Sequence, residues 1–193
     1  MVPIGEELQA AGLEVLGLCH GLAQDDATLL QSSALLDNFT HEEADTLGGV
    51  MLRVHAQPGQ VLIQEGAIGD WMMLILSGTV DVTKRSPQGT PSRLAVIKSG
   101  ASVGEMSMLD GEPRFATCSA LEKVEAGVLT RVAIGQLIHD HPAVGAKLLV
   151  KLTQLLAQRL RNTSNQLVKA RAAAAPGASN EAKAGLKRRS TDW

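Results

Sequence analysis

Val103-Gly-Glu-Met-Ser-Met-Leu-Asp-Gly-Glu-Pro-Arg-Phe-Ala-Thr117 is the stretch that decides the fold, because it places glycine backbone, the acid Glu105 and the arginine Arg114 in a single short loop. Gly104 and Glu105 predict a brief helical turn, whose unpaired N–H groups and positive dipole end suit an anion. Glu105 would repel a bare phosphate, so its presence there calls for a ligand that also offers a donor, such as a ribose hydroxyl. Arg114 follows Pro113, where the chain straightens into a strand, and its planar fork suits two oxygens of one phosphate. Taken together, these residue types describe a site for a sugar phosphate.

The run Val103-Gly104-Glu105, followed at this spacing by Pro113-Arg114-Phe115-Ala116-Thr117, resembles the phosphate-binding cassette of the cyclic nucleotide-binding domain. That family includes bacterial catabolite activator proteins, kinase regulatory subunits and gated channels. The resemblance implies that Glu105 takes the ribose 2′-hydroxyl and that Arg114 holds the cyclic phosphate. It implies a ligand set of Gly104, Glu105, Met106, Ser107, Arg114, Phe115 and Ala116 within the cassette. Two positions depart from the family pattern: Val103 replaces an aromatic residue, and Phe115 replaces a small or hydroxylated residue beside the phosphate. In members of that family that favour cyclic GMP the residue after the cassette arginine is commonly a Thr that bonds the guanine amino group; Phe115 offers no such acceptor, so the resemblance implies cyclic AMP over cyclic GMP.

Working back toward the amino terminus, the segment is punctuated as short strands. LRVHA from Leu52, a Gln57-Pro58-Gly59-Gln60 turn, VLIQ, a Glu65-Gly66 break, WMMLIL, a Ser77-Gly78 turn and TVDVTK follow one another. In the last of these Val80 and Val82 alternate with Thr79, Asp81 and Thr83, the period of a half-buried antiparallel strand. Further strands are expected at Arg93 to Lys98, Phe115 to Leu121 and Ala126 to Val132. Short strands at this spacing argue for a sandwich or barrel. The family fold is an α+β arrangement, an eight-stranded antiparallel jelly roll flanked by N-terminal helices and a long C-terminal helix. Gly66, Gly78 and Gly100 fall where such family members turn corners.

Residues 5 to about 36 read as helix, with apolar positions at Leu8, Val15, Leu22, Leu29, Leu30, Leu35 and Leu36, weakened by glycines at 12, 17 and 21. Thr40-His-Glu-Glu43 is a capping box that opens a short helix, and Gly48-Gly49 stops it. Beyond the strands, Ile134 to Asp140 reads as a short helix, and a long helical pattern follows Pro142. There Leu148 or Leu149, Leu152, Leu156, Leu160, Thr163 and Leu167 form an apolar seam suited to a partner helix. Arg159-Leu160-Arg161-Asn162-Thr163-Ser164 resembles the end of the dimerising helix in catabolite activator proteins, where a Thr-Ser pair contacts adenine across the dimer. Thr163 and Ser164 therefore join the implied ligand set, alongside the plain alternative that Thr163 bonds its own helix backbone.

The expected organisation is a helical extension over 1–38, the nucleotide-binding roll over 39–142, a dimerisation or lid helix over 143–170 and a disordered basic, Ala-rich tail over 171–193. The 23 residues after Ala170 are too short and too simple to fold as a DNA reader. Lys187-Arg188-Arg189-Ser190 within them either touches acidic partners or phosphates, or is solvated.

Composition sets outer bounds. The 193 residues are 45% hydrophobic, enough for one core, and the net charge of −2 gives no pull toward nucleic acid or an anionic membrane. Two Phe, two Trp and no Tyr provide no stacking platform for single-stranded nucleic acid. Cys19 and Cys118 read as free thiols of a reducing compartment. Glu6 and Glu7 interrupt any leader pattern, and a cytoplasmic address without membrane association follows by elimination.

His139 and His141 are two apart and share no helix face, Cys118 has no adjacent His, and no triad or phosphate-loop lysine stands out. The chain reads as a non-enzymatic regulatory sensor with no cofactor, binding a cyclic nucleotide, forming a homodimer, acting on an unknown protein effector and lacking specific DNA binding. The alternatives are an activator-like regulator that works through protein partners and a structural module whose cassette is unused.

Overall fold

The computed structural model describes residues 4–22 and 27–174. Among them, α1 (Ile4–Ala10), β1 (Glu14–Leu18), α2 (Ala27–Ser32) and α3 (His41–Gly48) precede β2 (Leu52–Ala56), β3 (Val61–Ile63), β4 (Trp71–Ser77) and β5 (Thr79–Arg85). There follow β6 (Pro91–Lys98), β7 (Ser102–Val103), α4 (Glu105–Asp110), β8 (Thr117–Ala120), β9 (Val124–Thr130), α5 (Arg131–Asp140) and α6 (Pro142–Ala174). Packing divides the chain after Leu155. The first unit holds both hydrophobic cores, and the second is helical over its described residues, exposed from Gln158 onward.

Two antiparallel sheets form, in the orders β1-β2-β9-β4-β7 and β3-β8-β5-β6. The pairs β2·β9, β3·β8, β4·β7 and β5·β6 nest one inside another, which is the connectivity of an eight-stranded jelly roll. β1 is a ninth strand added at the β2 edge.

Its presence corrects the helix expected over residues 5 to 36. Gly12 takes a left-handed φ of 83° and ends α1 after Ala10, while Gly17, at φ 112°, sits in the register shift between β1 and β2. The apolar spacing through Leu8, Val15 and Leu22 matched a helix, but pairing with β2 overrides it. The end of the roll is corrected too: the strand expected to reach Val132 stops at Thr130. The Thr130 hydroxyl accepts from the Ala133 amide and caps α5 three residues before the expected start at Ile134.

The capping box forms as read. The Thr40 amide donates to Glu43 Oε2 at 2.8 Å, and the Glu43 amide donates to Thr40 Oγ1 at 3.2 Å. β4 is buried throughout except at Ser77, and its two faces serve different cores. Trp71, Met73 and Ile75 point into the roll with Ile63, Val80, Val103 and Ala120, whereas Met72, Leu74 and Leu76 meet the helical layer of Leu29, Leu47, Leu137, Leu148 and Leu152. In β5, Val80 is fully buried and Val82 packs partly against the same interior.

The long apolar seam therefore divides. Leu148 and Leu152 are spent on the chain's own core, while Leu160 and Leu167 lie exposed in the second unit. The first turns of α6 are tied down by lysines. Lys147 donates to the Asn38 carbonyl at 2.7 Å and to Glu43, and Lys151 donates to Asp37 at 3.0 Å. The expected tail lies, from residue 175 on, outside the described residues. No described helix is long and apolar enough to cross a membrane.

Candidate functional site

The 103–117 segment folds around two left-handed glycines. Gly104, at φ 81°, turns the chain from β7 into α4, and Gly111, at φ 79°, closes it with its amide donating to the Ser107 carbonyl at 2.9 Å. This single helical turn directs Glu105, Ser107 and Met108 inward and leaves Met106 and Leu109 exposed. Arg131, the first residue of α5, holds the other end of the turn: Nε donates to the Met108 carbonyl at 2.7 Å and Nη2 to Ser107 at 3.4 Å. A cation at the carbonyl end of a helix is the favourable sense.

Arg114 is fixed at backbone level by the loop between β3 and β4. Its amide donates to Ala67 O at 2.8 Å, and its carbonyl accepts from the Gly66 amide at 2.9 Å. The side chain is only 4% exposed. Nη1 donates to the Gly104 carbonyl at 2.9 Å, and Cζ stands 4.3 Å from the centroid of the Trp71 ring. A β-carbon on Gly104 would lie 2.8 Å from Nη1, and one on Gly69 would lie 2.6 Å from Nη2. Two glycines and one indole thus form the walls of the guanidinium slot.

Nη2 is buried and has no hydrogen-bond partner among the described residues. Burial pushes the Arg114 pKa below the usual guanidinium range, opposed by Cys118 and by the carboxylates of Glu7, Asp70 and Glu105. A buried donor left without an acceptor costs about 1–3 kcal/mol, more when charged. An anion reaching Nη2 removes that cost. The carboxylate of Glu105, 1% exposed and on the first turn of α4, is the acidic member of the same group.

The structure thus brings Gly104, Glu105, Ser107 and Arg114 together. Ala116 is buried beyond them, and Met106 faces outward. Phe115 also turns outward, half-exposed, with Lys84 Nζ 4.0 Å from its ring centroid and donating to its carbonyl at 2.7 Å. Thr163 and Ser164 are exposed residues of α6 in the second unit. Gly69, Trp71 and Glu7 were not legible as site residues. Trp71 Nε1 donates to Glu7 Oε1 at 3.3 Å, a contact spanning 64 positions that no local motif signals. Among the described residues no group of His, Cys, Asp and Glu is arranged to hold a metal.

The model of the cyclic nucleotide-binding domain matches residues 53–141. A cyclic nucleotide-binding domain from Methylobacillus flagellatus superposes with a TM-score of 0.72 at 34% identity, covering 81% of this chain and 88% of that one. A CRP-like cAMP-activated global transcriptional regulator of Mycobacterium tuberculosis is 33% identical over 109 residues, 56% of this chain and 47% of its own. The cyclic AMP receptor protein of Thermus thermophilus is 32% identical over 139 residues, 72% of this chain and 62% of its own. The match therefore spans about half to three-fifths of the length of these two regulators.

Proposed function

Because the chain belongs to the cyclic nucleotide-binding domain family, we propose that it binds cyclic AMP through Glu105 and Arg114 and acts as a regulatory sensor. One observation carries this: a buried guanidinium, walled by Gly69, Gly104 and Trp71, with no acceptor for Nη2 among the described residues. A cyclic phosphate supplies an acceptor to Nη2, and the Glu105 carboxylate can accept from a ribose hydroxyl. The names of the mycobacterial and Thermus relatives, both tied to cyclic AMP, support the choice of nucleotide.

Output is assigned to the helices that follow the roll. Arg131 joins the carbonyl end of α4 to the start of α5, so a ligand that repositions α4 pulls directly on the element leading into α6. We assign the exposed Leu160 and Leu167 to a homodimer seam within 143–169 and the base contact to Thr163 and Ser164. Regulation then runs through a protein effector in the cytoplasm, without specific DNA binding by this chain. Calorimetric titration of nucleotide-free protein with cyclic AMP, cyclic GMP and cyclic di-GMP tests the ligand. Cyclic AMP is expected to bind about tenfold more tightly than cyclic GMP, a difference of about 1.4 kcal/mol. Equal or tighter binding of cyclic GMP contradicts the assignment.

A further inference from the structure

We propose that α1 is an intramolecular strap over the Arg114 site, latched by the bond from Trp71 to Glu7, and that cyclic AMP must displace it to bind. The inference rests on the cyclic nucleotide reading of that site and adds its regulation.

Trp71 is held on two sides. Its ring face stacks on Arg114, and its Nε1–H donates to Glu7 Oε1 at 3.3 Å. α1 is anchored beside it by Leu8, which is 1% exposed and enters the roll interior with Trp71, Ile63 and Val103, and by Ile4, which packs against the same cluster. With the strap closed, Arg114 is 4% exposed although Nη2 has no hydrogen-bond acceptor among the described residues. Trp71 covers one face of the guanidinium, so in this proposal a phosphate reaching Nη2 shifts Trp71, and shifting Trp71 breaks its bond to Glu7. Glu7 is also one of the carboxylates whose charge favours the Arg114 cation, the electrostatic part that a phosphate would take over.

The strap is built to open. Seven residues of helix do not stand alone in water, so α1 persists only through these contacts. Gly12, in the left-handed conformation, is a natural hinge between α1 and β1, and the nearby tie from Gln60 Nε2 to the Ala11 carbonyl is long, at 3.5 Å. Once released, α1 leaves Leu8 and Ile4 exposed, so opening has a cost that ligand binding must offset.

The test is calorimetric titration of the full chain with cyclic AMP, comparing the parent with Glu7→Ala and Glu7→Lys, neither of which offers an acceptor to Trp71 Nε1–H. Glu7 is exposed, so its variants keep the fold. If the strap is closed in about nine molecules of ten, unlatching it in either Glu7 variant tightens apparent affinity about tenfold. Amide hydrogen exchange over residues 4–10 should quicken when cyclic AMP is added to the parent. Equal or weaker binding by both Glu7 variants, or unchanged exchange over 4–10 in the bound parent, overturns the strap and leaves the binding site standing. Failure of parent and Glu7 variants alike to bind cyclic AMP overturns the ligand assignment itself, and the strap with it.

Discussion

Gly69 and Arg114 approach so closely that a β-carbon on the glycine would lie 2.6 Å from Nη2 of the arginine and 3.0 Å from Cζ. The atom displaced is the end of a flexible side chain, not backbone. Gly69→Ala should therefore cost about 1–2 kcal/mol of thermal stability, from the Nη1 bond to Gly104 and the Trp71 contact, while pushing the guanidinium out of its slot. Cyclic AMP affinity is expected to fall about tenfold or more, read by calorimetry beside a melting curve.

Glu105→Gln keeps an acceptor for a ribose hydroxyl but removes the negative charge. Affinity should fall by roughly tenfold, less than for loss of Arg114, because a hydrogen bond to a charged group is worth about 1.5–3 kcal/mol and a neutral one about 1. A Glu105→Gln variant as impaired as Arg114→Ala would assign Glu105 a structural part in shaping α4.

Arg131→Met strips the carbonyls of Ser107 and Met108 of their cationic donor. A loss of about 1 kcal/mol in urea unfolding is expected. If α4 transmits ligand binding through this residue, the ligand-induced change in hydrogen exchange over α5 should disappear in the variant while cyclic AMP still binds.

Acid sensitivity should centre on Glu43. Lys147 and, after it, the Thr40 amide hold its carboxyl below the ordinary value of about 4.5. Because folding lowers this pKa, the stabilisation is present above the unfolded value and is lost as pH falls through the lower folded one. The urea midpoint of the parent should drop below about pH 4.5, and Lys147→Met should flatten that drop.

Leu160→Glu together with Leu167→Glu should give monomers by light scattering if the exposed residues of α6 form a dimer seam. A dimer that survives both changes has its interface elsewhere.

What was legible in the sequence is what is local. Thr40 and Glu43 find each other three positions apart, Val80 and Val82 show a two-residue period, and Gly104, Glu105 and Arg114 lie in one loop whose glycines dictate its turns. β1 was hidden because Leu8, Val15 and Leu22 fit a helical spacing, and only the β2 edge, some 35 positions on, makes strand the better state. The strand expected over Ala126 to Val132 ends two residues early because the Thr130 cap starts α5. Gly69 and Trp71 carried no signal, since their parts arise from contact with Arg114, more than 40 positions away. Leu148 and Leu152 share a spacing with Leu160 and Leu167, and only the packed core distinguishes the buried half of that pattern from the exposed half.

The most direct measurement is calorimetric titration of cyclic AMP into the parent and into Arg114→Ala, with melting curves to show that both are folded. Arg114 supplies the buried cation, and its removal leaves a phosphate desolvated without a counter-charge, a loss of about 3 kcal/mol or more. The parent should bind, and Arg114→Ala should bind over about 100-fold more weakly. Equal affinity in a folded Arg114→Ala protein would contradict the assignment of the phosphate to this guanidinium.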